Sequence, residues 1–135
     1  MIARVVDYKV GLCRSRNDRN DTPVRTIDLT VQCADEPSIK HVFVQFFRKR
    51  QESLGFVNTM ANNVVATLPI DDFELARELL SGEEPVSFAW MADIESNLVW
   101  AELTTADTPL RAHHLEEERR TDPAALVGAA REGAN

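Results

Sequence analysis

Apolar and polar residues alternate through the first strand-length segment of the chain. Ile2, Val6, Tyr8, Val10 and Leu12 share one parity, with Arg4 as the exception, and Asp7 and Lys9 take the other. A period of two over this length predicts a strand with one buried face. Residues 14–23 carry no large apolar side chain and are rich in turn formers, which predicts an exposed loop. Beyond it the alternation resumes, with Ile27, Leu29, Val31 and Cys33 set against Thr26, Asp28, Thr30 and Gln32. A hairpin centred in the loop pairs Val10 with Ile27, Tyr8 with Leu29 and Val6 with Val31. All three pairs then lie on one face, as a half-buried antiparallel ladder requires.

Asp35-Glu36-Pro37 predicts a turn into a third strand, Ile39 to Phe47, whose two faces are both largely apolar. Such a strand is expected to be central or covered on each side. Arg48-Lys49-Arg50 ends it, Gly55 is a breaker, Phe56 to Met60 suggests a short strand, and Asn62-Asn63 a turn into Val64 to Leu68. A helix is predicted over residues 71–81. Asp71 reads as its N-cap, Glu74 as the partner in a capping box, and Leu75 as a staple to Ile70. Phe73, Ala76, Leu79 and Leu80 form the apolar stripe, and Gly82 reads as a left-handed C-terminal residue. A final hairpin carries Val86, Phe88, Trp90 and Ala92 on one strand and Leu98, Trp100 and Glu102 on the other, joined by residues 93–97. Parity places Trp90 and Trp100 on one face. The opposite parity is also apolar, so each face needs a cover: the core, the helix or another subunit.

These elements predict a mainly β (α+β) fold: a small antiparallel barrel or strongly twisted sheet of about six strands with one packed helix. The element order resembles that of the OB-fold, in which a helix precedes the last two strands of a five-stranded barrel. The resemblance is one of order alone and implies no activity. Residues 1–106 read as a single β-rich domain. The segment 107–135 is Ala-, Glu- and Arg-rich without aromatics and reads as a tail, mobile or with a short helix from Asp122-Pro123 that orders on docking.

Composition narrows the class. The chain has 135 residues, 44% hydrophobic and 27% charged, close to globular averages. The longest uncharged run, Leu54 to Ile70, is broken by Asn58, Asn62, Asn63 and Pro69, so no stretch predicts a bilayer span. The first residues lack a basic region followed by an apolar core, which makes the cytoplasm the expected compartment. Cys13 and Cys33 fall far off register in the first hairpin and are expected to be free thiols. The net charge of −7 argues against nucleic-acid gripping as the main task. It is unevenly spread: residues 1–50 carry +4, residues 51–106 carry −9 and the rest −2.

Candidate chemistry is sparse. His113 with Glu117, or His114 with Glu118, has helical metal-ligand spacing, but two ligands make no catalytic centre and a solvated face is the plainer reading. His41 has no assignable nucleophile beside it, and Cys13 has only its neighbours Arg14 and Arg16 to favour a thiolate. No Gly-rich phosphate loop, zinc spacing or cofactor motif is visible, and neither a metal nor a cofactor is expected. Two features resemble binding surfaces. Arg14, Arg16 and Arg19 in the first loop and Arg48, Lys49 and Arg50 after the third strand are cations that loops at one end of a barrel can bring together, although two solvated loops far apart is the plainer reading. Phe88, Trp90 and Trp100 can stack on bases or bury a partner's side chain if exposed, but contact of the tryptophans with the core or the helix is the plainer reading. The leading expectation is a non-catalytic binding or accessory module acting through protein–protein contacts and self-association. The alternative is single-stranded nucleic-acid binding through the basic loops, and the third reading is a small-ligand barrel or an enzyme.

Overall fold

The computed structural model describes residues 1–14 and 22–105. Seven strands form one sheet: β1 (Ile2–Leu12), β2 (Arg25–Gln32), β3 (His41–Phe47), β4 (Gly55–Asn58), β5 (Asn63–Pro69), β6 (Ser87–Ala92) and β7 (Leu98–Thr104). A 3-10 turn (Ile70–Asp72) leads into the single α-helix, α1 (Phe73–Ser81). The strand order is β4-β5-β3-β2-β1-β6-β7. A bridge between Phe56 and Asn97 and a hydrogen bond from the Val57 amide to the Ser96 carbonyl (2.8 Å) join the two outermost strands at one end. The sheet thus curls nearly into a barrel, of mainly β class as the alternation predicts.

Two of the three predicted pairs in the first hairpin are present: Val10 faces Ile27 and Tyr8 faces Leu29. The third is displaced. A bulge at Val6 sets Val5, not Val6, opposite Val31. One extra residue inverts the parity of the strand before it, so Ala3 and Val5 turn inward and Val6 is left about half exposed, at 49%. Cys33 lies at that end of the ladder, buried, its Sγ donating to the Ile2 carbonyl at 3.5 Å; both cysteines are free.

The sheet is mixed, because β3 and β5 run parallel, with Val42 opposite Val64 and Val44 opposite Ala66. A parallel pair needs a long crossover, and residues 48–62 supply it with β4 carried inside. β5 thereby slots between β3 and β4. β3 is interior to the sheet, flanked by β2 and β5. Its inward row Val42, Val44 and Phe46 is buried, yet on its other face His41 is exposed and Phe43 only half covered. Covering of that face, expected from its apolar content, is partial. The OB-like order holds in that the helix precedes the last hairpin, but seven strands replace five.

Helix α1 covers one opening of the curled sheet. Phe73 and Ala76 are buried, and Phe73 meets Phe46 edge-on with centroids 5.1 Å apart, a favoured aromatic geometry. The Arg25 guanidinium lies 4.5 Å from the Phe73 ring centroid, and Glu74 pairs with Arg25 (3.7 Å) and Arg77 (3.2 Å). The predicted capping box and staple are absent. The chain turns directly from β5 into the 3-10 turn, so the residue before the α-helix is Asp72, already at φ −86° and ψ −4°, with no side-chain cap bond. Leu75 is 60% exposed. Gly82 ends the helix extended, at φ −72° and ψ 170°, not left-handed.

Gly55 opens β4 at φ +120°, and a Cβ there would overlap the Val65 carbonyl oxygen. Neither the backbone angle nor the space admits a side chain. Gly55→Ala is therefore expected to destabilise the fold by about 3 kcal/mol, read as a lower denaturation midpoint in urea.

Candidate functional site

The β6–β7 hairpin builds the site. Its turn is organised by Asp93, whose Oδ1 accepts from the Glu95 and Asn97 amides at 2.9 Å each, with Ser96 at φ +68°. The same turn presents the Ser96 carbonyl to Val57, so it also pins β7 to β4. Beyond that pin the partners diverge. β4 begins only at Gly55, and the chain ahead of it touches β5 through the Thr67 amide to the Leu54 carbonyl (3.0 Å) and the Thr67 hydroxyl to the Ser53 carbonyl. β7 follows the other side of the same opening.

Inside that seam lies an apolar cavity of about 180 Å³. Ile27, Leu29, Val44 and Phe88 form its floor, Leu80 and Ala76 of α1 its end, and Leu54, Leu68, Trp100 and Leu103 its walls. Three alanines explain why it is open. Ala66, Ala76 and Ala101 stand at core-facing positions where leucine or valine would fill the space. Thr67 and Glu102 are the polar residues at its boundary. A second hollow of about 330 Å³ shares Leu54, Thr67 and Leu68 with the first and adds Arg50, Gln51 and Asp72.

The tryptophans do not share a face. A shift between Met91 and Ala92 makes Val99 the extra residue, so Trp90 stands opposite Ala101 and Trp100 opposite Met91. Simple parity counting from Leu98 fails across that bulge. Phe88 and Trp90 are core residues, 3% and 2% exposed. Trp100 is half buried at the cavity wall, and its indole N–H is buried without a hydrogen-bond partner.

β1 and β3 both run antiparallel to β2 and so finish at the same end of the sheet. The Cys13 amide bonds to the Val24 carbonyl and the Val24 amide to the Phe46 carbonyl, so the chain beside Arg14 and the chain entering Arg48, Lys49 and Arg50 leave on either side of β2. Arg14, Arg48, Lys49 and Arg50 are exposed; Arg16 and Arg19 lie outside the described residues, as do the tail from 106, His113, His114, Glu117 and Glu118. His41 sits on the outer face, its Nδ1 3.3 Å from Asp28 Oδ1 and its ring stacked on Phe43. Among the described residues no three His, Cys, Asp or Glu side chains converge as a metal ion requires, and no helix is long and apolar enough to cross a membrane.

Of the residues that line the two hollows, Arg50, Phe88 and Trp100 stand out in the sequence, whereas Leu54, Thr67, Asp72 and the three alanines do not. The available signal was alanine at inward parity among bulkier neighbours. The two tryptophans should differ in energetic weight. Trp90→Ala is expected to cost about 3–5 kcal/mol. Trp100→Phe should cost under about 1 kcal/mol, because removing an orphaned buried donor offsets lost contact area; thermal denaturation of both variants checks this. No family model, curated protein or solved structure matches the chain.

Proposed function

We propose that this protein is a non-catalytic binding barrel whose interior seam takes a small, mainly apolar molecule. The observation that carries the reading is the cavity of about 180 Å³ walled by apolar side chains from the sheet, the helix and β7. Ligand sites are usually concave, apolar and largely pre-formed, with few polar groups at fixed places. A dry cavity of about 150 Å³ admits benzene, so this one suits an apolar body of about seven carbon atoms. The unpartnered indole N–H of Trp100 at the wall is a donor that a small swing of the ring would offer to an acceptor on the ligand.

A second reading has its own support. Phe56, Met91, Val99 and Ile94 are exposed apolar residues around the pinned end of the seam, and such groupings mark contact surfaces. Self-association through them predicts a mass that rises with concentration; a sedimentation experiment giving only monomer at high micromolar concentration rejects it. Nucleic-acid binding has weaker support, because Phe88 and Trp90 are buried and supply no stacking platform.

The cavity reading is tested with toluene, whose seven carbons match the space. Binding is expected to perturb tryptophan emission and raise the melting temperature, and Trp100→Phe should remove most of the emission change. Ala101→Leu fills the cavity and is expected to abolish toluene binding while the fold is retained. Unaltered toluene binding by that variant would place the ligand elsewhere.

A further inference from the structure

A second hollow adjoins the interior cavity. The outer hollow shares Leu54, Thr67 and Leu68 with it, so one layer of side chains separates them. The chambers differ in chemistry. The inner one is apolar with its single carboxylate, Glu102, already engaged, while the outer one has one guanidinium, Arg50, and one carboxylate, Asp72. Asp72 stands at the start of α1 yet makes no capping bond, which leaves its oxygens available to a ligand. Arg50 is exposed in the irregular chain before Gly55. The segment that holds Leu54 is joined to β5 by the Thr67 amide on the Leu54 carbonyl and by the Thr67 hydroxyl on the Ser53 carbonyl.

Resting on the reading of the cavity as a ligand site, we propose that its ligand is the zwitterion of a large apolar α-amino acid. The side chain occupies the inner chamber, the carboxylate meets Arg50 and the ammonium meets Asp72. A simple fatty acid would leave Asp72 facing a like charge, and a simple amine would do the same to Arg50. A head group bearing both signs satisfies both walls. The benzyl side chain of phenylalanine has the seven carbons that suit the inner volume, and leucine is a smaller member of the same class.

Calorimetric titration of the full chain with four probes tests this. L-phenylalanine carries both charges, 3-phenylpropanoate lacks the ammonium, 2-phenylethylamine lacks the carboxylate, and toluene lacks both. L-phenylalanine is expected to bind at least ten-fold more tightly than either singly charged probe. Arg50→Gln should weaken L-phenylalanine and 3-phenylpropanoate at least ten-fold and leave toluene unchanged. Asp72→Asn should weaken L-phenylalanine and 2-phenylethylamine and also leave toluene unchanged. Both positions are exposed, so the variants are expected to fold, which unchanged melting temperatures verify. If toluene binds while L-phenylalanine binds no better, or if neither substitution alters its affinity, the zwitterion assignment is wrong and the cavity reading survives. If no probe binds, both are wrong.

Discussion

The constraint on which the molecule depends is the incomplete closure of its sheet. A twisted sheet of seven strands must either hide its two edges or let them meet. Here they meet at the turn centred on Asp93, where Asn97 bridges Phe56 and Ser96 accepts from Val57. β4 is only four residues long, so the paired edge on that side is short. Closure at one end and divergence at the other create an interior that is walled but not filled. The helix then covers one mouth through Phe73 against Phe46, and the seam remains the natural way in.

Two bulges shape that interior. The one at Val6 turns Ala3 and Val5 inward, and the one at Val99 turns Trp100 away from the row that holds Trp90. Each re-aims side chains by inserting a single residue, at the cost of one regular pair. Without the second, Trp100 would project with Trp90 on the core side. With it, the ring lies along the seam wall, where its N–H finds no acceptor. A donor left unpaired in this way costs stability that a better-packed residue would not. It stands at a cavity wall and not deep in the core.

Much of the architecture was readable from the chain. Alternation located β1 and β2, apolar runs around a hairpin-length link located β6 and β7, and the Val10–Ile27 and Tyr8–Leu29 pairs followed from one hairpin geometry. The stripe Phe73, Ala76, Leu79 and Leu80 identified the helix, though its capping was misread because Asp71 is swept into a 3-10 turn. The bulges were not readable, since Val5 and Val6 are equally apolar and either satisfies an inward position. Nor was the parallel pairing of β3 with β5, because periodicity states which face is buried and not which strand is the neighbour. The candidate site was the least legible part. Its cavity arises from three alanines on β5, α1 and β7, distant in sequence and brought together only when the sheet curls. Arg50 was visible as part of a basic run, but its placement beside Asp72 depends on where the crossover runs.

The Val57–Ser96 contact has a consequence for the way the molecule moves. It joins residues almost forty positions apart in sequence, and non-local contacts of this kind are expected to form late in folding. Their loss leaves the rest of the ladder intact, so it belongs among partial openings whose free energy lies below that of global unfolding. The barrel can therefore unzip along a single line while its remaining strands stay paired.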